Sequence, residues 1–431
     1  MLAPQPNMNN IFTKFFNFKK KLNQKEILFQ NIKNTSDVKS IFNAISSHNE
    51  WSDIRYVGGC VRKILNNENY DDIDLATNLN PDQVKECLTI NKIEFFETGI
   101  KHGTITARIG NQNFEITSLR NDVKTDGRHA EVIFTKDWKE DSIRRDFTIN
   151  SIYADIDGNL FDPNNGVEDL QNGTVRFIGN SYERIQEDYL RILRYIRFFL
   201  LYSKKDHSSE IKKTIKQNIS GVSNLSKERL LDELNKIFKS RALFKLVKDN
   251  FSYEIISLIF PQLINLKILK KLEKKKEEIL INKSFDFLLA LLIIDETDNA
   301  DYFLYKFNLS NDAKNRIKFL KSNFEYLKEK DFFSKKNLEK IFYYNNKSSV
   351  IDLIDYELIK TNTMKKKLIE LKNYFQKKEK PVFPIKAKSI MEKFDIKEGR
   401  ELGQKLKNLE NIWVNNSFSI TDKEIEKTFS N

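Results

Sequence analysis

Two aspartates flanking one isoleucine, Asp72 and Asp74 in "YDDIDLAT", sit in a chain whose formal net charge is +12. In a strand alternate side chains share a face, so Asp72 and Asp74 would point together, about 7 Å apart, while Asp71 and Ile73 point away. Two carboxylates so placed suit a hard divalent ion such as Mg²⁺, which takes oxygen ligands. With two ions, one would activate an attacking oxygen and the other steady a leaving group. The plain alternative is an acidic edge turn. Context favours the metal. Gly58 and Gly59 follow the strand-like "IRYV" and open the helix-like "VRKILN", so backbone N–H groups there can approach a phosphate closely, with Arg62 one turn in. Glu115, in "NFEITSLR", offers a third acid from another strand-like run, or else a partly exposed strand carboxylate.

The elements that must position these residues change character along the chain. Up to about Asp162 there are short strand-like runs ("GTITARIG", "NFEITSLR", "VIFTKDW", "INSIYADIDG") and turn signals such as "DG" and "GN". After "NGVEDLQNGTVRFIG" glycine and proline almost vanish, and apolar residues recur at three and four, as in "YLRILRYIRFFL" and "KERLLDELNKIF". The expected class is α+β, a small sheet followed by helices. The lysine-rich "LKILKKLEKKKEEILINK" reads as a solvated helix face, and the prolines of "KKEKPVFPIKAKS" set off a last helical piece.

Composition excludes several classes. With 40% hydrophobic residues, 33 Phe and 15 Tyr, the chain is not disordered, and no run of about 18 apolar residues exists to span a membrane. The N-terminal apolar residues are broken by Asn, Thr and Lys, so the start reads as a mobile basic tail rather than an export signal. Cys60 and Cys87 are too few for a disulfide framework and point to a reducing cytoplasm. Four scattered histidines form no zinc motif with them. The basic excess suits a phosphate-rich partner, nucleic acid or an anionic membrane surface.

Gly58-Gly59 followed after twelve residues by Asp72-Ile73-Asp74 resembles the phosphate-plus-metal layout of the DNA polymerase β type of nucleotidyltransferase. "GGCVR", "DIDLAT", "TGIKHGTITARI", "DGRHAEVIFTKDWKEDSIRRDFTINSIYADIDGNLFDPNNGVEDLQNGTVRFIG" and "ERIQEDYLRILRYIRF" together resemble the class II tRNA nucleotidyltransferases (CCA-adding enzymes) and the bacterial poly(A) polymerases related to them. The resemblance runs from about Trp51 to Ile237. It implies a seahorse-shaped molecule: a tail at 1–27, a nucleotidyltransferase head at 28–166, a helical neck at 167–245, a body at 246–380 and a tail at 381–431. It implies Mg²⁺, CTP and ATP as substrates, and a tRNA partner bound by its 3′ end and acceptor arm along the basic helices, with no stable membrane association.

Residue by residue, Asp72, Asp74 and Glu115 resemble the catalytic acids, the first two as metal ligands. Gly58, Gly59 and Arg62 resemble the phosphate-side turn. "RRDFTIN" resembles the segment that holds sugar and triphosphate through Arg145, Asp146 and Asn150, chemistry suited to a forked guanidinium and to polar groups that bind ribose hydroxyls. In "EDYLR", Asp188 and Arg191 resemble the pair that reads the incoming base in place of a template, with Arg194 and Arg197 toward the triphosphate. Helical spacing from Asp188 independently puts Arg191, Arg194 and Arg197 on one face and Ile192, Leu193, Ile196 and Leu200 on another. Asp188 and Arg191 would also form an i,i+3 ion pair. Arg229 and Glu233 resemble braces on the neck helix, and Arg128 a contact in the loop that helps switch from CTP to ATP. His102 and His129 read as packing or loop residues, and Trp413 as core.

One departure is Lys63, where relatives often place an acid after the arginine, so any ion pair orienting Arg62 through that acid is absent. The resemblance leaves a poly(A) polymerase and an enzyme adding only the last A as alternatives. Chain "TGIKHGTITARI" and the modest C-terminus favour CCA addition. A non-catalytic RNA-binding protein would have lost a metal acid, and both aspartates are present.

Overall fold

The computed structural model describes residues 27–34, 37–70, 72–125, 130–361 and 365–429. The expected tail through residue 26, Asp71, Arg128 and His129 lie outside these residues. The chain divides into two compact units, Met1–Leu230 and Leu231–Asn431.

The first unit is built on a seven-stranded sheet in the order β3-β4-β5-β2-β1-β8-β9. Its strands are β1 (Ile54–Val57), β2 (Asp74–Thr77), β3 (Glu94–Gly99), β4 (Thr104–Ile109), β5 (Gln112–Ser118), β8 (Tyr153–Ala154) and β9 (Leu160–Phe161). A separate hairpin joins β6 (Arg120–Thr125) to β7 (Ala130–Phe134). Alternation decides the faces. In β5, Phe114, Ile116 and Ser118 are buried and Glu115 is exposed between them. β2 runs parallel to β5, whereas β1 is antiparallel to both β2 and β8. "INSIYADIDG" is thus less strand than expected: Thr148–Asn150 forms a 3₁₀ turn, and only Tyr153–Ala154 pairs with β1.

Beyond the sheet come the short helix Ser181–Glu187 and the longer Leu190–Tyr202. In the latter only Arg191, Arg194 and Arg197 escape full burial between Leu190 and Leu200, the stripe their spacing predicts. Asp188 does not belong to it. Its backbone is extended (φ −153°, ψ 105°), so a break separates the two helices where the sequence suggests one.

The second unit is helical. Leu338, Phe342, Val350, Ile354, Leu358, Leu368 and Phe375 form one core cluster, and Ile390, Leu402, Leu409 and Phe429 another. Trp413 is core, edge-on to Tyr343 and Phe383. The lysine-rich stretch at 266–283 is largely the solvated face expected, with Lys267, Lys270, Lys274 and Lys275 exposed, and it departs from that at Lys276 and Lys283. It is a 3₁₀ turn, Leu266–Lys271, then a helix, Lys274–Ile281, and Lys276 is buried with its ammonium donating to the Thr361 carbonyl. Lys283 reaches Asp352 at 3.0 Å and Asp355 at 2.7 Å, both buried. Lys276 is buried and Lys283 partly so because buried acids and a carbonyl roughly seventy to eighty-five residues away receive them.

Candidate active site

Parallel pairing of β2 with β5 sets Asp74 directly opposite Glu115. Asp74 is half-buried, Glu115 and Asp72 exposed. β2 begins at Asp74, so Asp72 lies just ahead of the strand and not two positions along it. It still acts on its neighbour. Burial first, then the charges of Glu115 and Asp72, raise the Asp74 carboxyl above its ordinary range, against the pull of Arg145 and Arg62. Among the described residues no three acid, imidazole or thiol groups converge as a closed metal cage. Two carboxylates at the N-terminal end of the interior strand β2, one of them raised by burial and like charge, still fit an ion such as Mg²⁺, which keeps water and takes one or two carboxylates together with substrate phosphates.

Gly58 adopts φ +69° between β1 and the helix Gly59–Leu65, a conformation that disfavours side chains. A Cβ on Gly59 would lie 3.8 Å from Asp74 Oδ2 and 4.0 Å from Arg62 Nη2, so turn, acid and arginine share one small space. The Cys60 thiol donates to the Val57 carbonyl at 3.2 Å, and burial raises it to about 11, which keeps it a protonated core group. Arg62 is only 6% exposed. Its Nη1 donates to Asn150 Oδ1, and its guanidinium lies 4.7 Å from the Phe198 ring centre and 5.1 Å from that of Tyr202. An amide and two rings therefore do the orienting for which an acid at position 63 would otherwise serve.

The "RRDFTIN" segment returns to this turn through the Gly58 N–H, which donates to the Ile152 carbonyl at 3.4 Å. Arg145 Nη1 stands 3.5 Å from where a Gly58 Cβ would be. Asn150 bridges Arg62 to Asp146, its Nδ2 donating to Asp146 Oδ1 at 2.9 Å, and Arg194 closes the chain with Nε donating to Asp146 Oδ2 at 2.7 Å. Burial works against the Asp146 carboxylate, but Arg194 and these hydrogen bonds win and hold it at about 2. Arg197 places its guanidinium 4.1 Å from the Phe198 ring centre.

Asp188 and Arg191 do not pair with one another. Arg191 Nη1 donates to Glu187 Oε2 at 2.5 Å and to the Arg184 carbonyl at 2.7 Å. Asp188 Oδ2 receives Arg229 Nη2 at 2.6 Å, and its Oδ1 receives the Leu190 N–H at 3.1 Å. The break before the helix explains the exchange: with Asp188 extended, its carboxylate turns to the N–H of Leu190, the first residue of the new helix, instead of following the helix surface. The brace expected of Arg229 is thus a direct clamp on Asp188.

Sequence reasoning missed Asp141, Arg184 and Glu187. Asp141, 1% exposed, receives Arg144, Arg145 and the Tyr153 hydroxyl. Arg184 Nη2 donates to the carbonyls of Arg144 and Arg145, and its Nη1 to Glu187. The available signal was spacing, since Asp141 precedes Arg144 and Arg145 by three and four, and Arg184 precedes Glu187 by three. His102 contributes a carbonyl, which receives Arg120 Nη1.

The family model described as "Poly A polymerase head domain" matches residues 54–176, and "Probable RNA and SrmB- binding site of polymerase A" matches 208–266. The mouse protein named CCA tRNA nucleotidyltransferase 1, mitochondrial, is 34% identical over 397 residues, 91% of this chain and 89% of its own. A CCA-adding enzyme of Staphylococcus haemolyticus is 31% identical over 305 residues, 69% and 71% of the two chains. In fold the chain is similar to the crystal structure of the Bacillus stearothermophilus CCA-adding enzyme in complex with CTP, with TM-score 0.67 and 21% identity, covering 90% of this chain and 93% of that one.

Proposed function

The chain belongs to the class II CCA-adding enzyme and poly(A) polymerase family, and on that premise we propose that it adds or repairs the 3′-terminal CCA of tRNA from CTP and ATP, without a nucleic-acid template and with release of pyrophosphate. The observation that carries CCA addition over poly(A) addition is the end-to-end match to the mouse enzyme named for it.

In this reading the tRNA 3′ hydroxyl oxygen bonds to the α-phosphorus in line with the departing pyrophosphate, whose bond breaks as the new one forms. Glu115, exposed and in register with Asp74, would in this reading accept the hydroxyl proton. Asp72 and Asp74 would hold the divalent metal, Mg²⁺ by our reading, which when bound neutralises charge on the phosphates. Arg145 faces the Gly58-Gly59 turn, where the triphosphate would lie, and Asp146, Asn150, Arg62 and Arg194 hold one another as its polar wall, with Arg197 on the same helical stripe.

Asp188 and Arg191 present an acceptor and donors. Cytosine and adenine each offer an exocyclic amine beside a ring-nitrogen acceptor, a pattern uracil and guanine do not share. Because Arg229 and Glu187 clamp the two separately, each keeps its place before the nucleotide arrives. We infer that residues 28–166 serve as the catalytic head and that the basic helices after it bind the tRNA. Among the described residues no helix is long and apolar enough to cross a membrane, and we take the compartment to be the cytoplasm, to be checked by cell fractionation.

The test supplies Mg²⁺ and labelled CTP, ATP or both to tRNA transcripts ending at the discriminator base, at C or at CC, with products resolved at single-nucleotide length. Ordered growth that stops after CCA supports the reading. Long A ladders would move the chain to poly(A) addition, A added only to CC ends would make it an A-adding enzyme, and retention of tRNA without extension would leave an RNA-binding protein.

A further inference from the structure

Asp141 touches neither the acids beside β2 nor the base-reading pair, yet one of its carboxylate oxygens is given wholly to Arg145 of the nucleotide wall and to Tyr153, which also holds Arg145. It is the N-terminal partner of "RRD", on the helix Trp138–Ile143, and lies almost wholly inside. Oδ2 receives Arg145 Nε at 3.2 Å, Arg145 Nη2 at 3.1 Å and the Tyr153 hydroxyl at 2.7 Å. Oδ1 receives Arg144 Nε at 2.8 Å and the backbone N–H of Arg120, the first residue of β6, at 3.3 Å. The Tyr153 hydroxyl also receives Arg145 Nε at 3.1 Å. Tyr153 in turn is fixed by its pairing with Val57, the residue before the glycine turn.

These contacts grip one edge of the Arg145 guanidinium, Nε and Nη2, and leave the remaining nitrogen, Nη1, beside Gly58. A planar fork held along one edge has its other nitrogen aimed by geometry alone. We propose that Asp141 is a positioning residue that aims Arg145 Nη1 at the triphosphate and ties that aim to the root of β6. The proposal rests on the reading above that Arg145 binds the triphosphate. Asp141 acts on substrate only through Arg145, so removing its charge should loosen nucleotide binding without altering which base is chosen.

The experiment is steady-state kinetics on the full chain for Asp141→Asn, Arg145→Lys and the double variant, with CTP on a tRNA ending at the discriminator base and ATP on one ending at CC. Asp141→Asn should raise KM about tenfold for CTP and ATP alike, change kcat less than threefold, and add nothing in the Arg145→Lys background. An unchanged KM for Asp141→Asn, or effects of the two variants that multiply in full, would overturn the proposal in favour of a purely structural acid. No change in KM for Arg145→Lys would overturn the triphosphate reading, and the proposal with it. Should Asp141→Asn fail to fold, Tyr153→Phe removes one donor from Asp141 and one acceptor from Arg145. Its KM should rise two- to threefold at unchanged kcat, and no rise would overturn the proposal equally.

Discussion

Asp74 and Asp141 are buried or half-buried aspartates of the same unit, and their surroundings drive them in opposite directions. Asp74 is raised by burial and by the like charges of Glu115 and Asp72, which outweigh the opposing pull of Arg145 and Arg62. Asp141 suffers burial too, but Arg145, Arg144 and the Tyr153 hydroxyl overcome it and hold the group at about 2. The first environment is electrostatically incomplete and would be relieved by a cation from outside. The second is complete within the chain. An acid's neighbours, more than its burial, thus separate a group that waits for a ligand from one that shapes the site in advance.

Removing the incomplete set gives the sharpest contrast. Asp72→Ala with Asp74→Ala should lower nucleotide addition by at least about a hundredfold in the transcript assay. The unfolding midpoint in urea should hold or rise, because like charges have been taken away. A fall of more than about 1 kcal/mol in stability would place these acids among the structural ones. The reverse holds for the completed set. Asp146→Ala strands the Arg194 guanidinium and the Asn150 amide, and should cost about 3 kcal/mol, read from the same urea curves.

Acid titration separates the two sets next. Asp141 and Asp146 have folded values depressed to about 2 from 3.8. Their contribution is fully present above the unfolded value and is lost as pH falls through the folded one. Stability should therefore drop by about 2 kcal/mol for each of them between about pH 4 and pH 2, and Asp146→Asn should flatten that slope. The smallest effect is metal binding without nucleotide. Mg²⁺ at ten times its dissociation constant should stabilise the wild type by about 1.4 kcal/mol and the Asp72→Ala, Asp74→Ala variant not at all, as seen by thermal melts with and without chelator.

The parts legible in the sequence were those written locally. Alternation in β5 put Glu115 opposite the core side chains, and the three-residue recurrence of Arg191, Arg194 and Arg197 marked the one incompletely buried stripe of its helix. Asp188 was misread because "EDYLRILR" has unbroken helical character. What stops the helix there is joined by a guanidinium forty-one residues further on, and no local pattern reports it. Lys276 and Lys283 failed for the same reason, since a lysine's place is decided by whether distant chain supplies acceptors. Strand β2 was placed correctly, but it starts at Asp74 rather than at Asp71, so Asp72 lies ahead of it.

Arg62 carries one more consequence. Steadied by an amide and two aromatic rings, its guanidinium stands in a nearly dry place on the same side of the turn as Asp74. A charge under low-dielectric cover projects its potential outward, and polyanions still several ångströms away feel it. On the proposed function the glycine turn would draw nucleotide before touching it, and that capture would slow as added salt shortens the reach of the field.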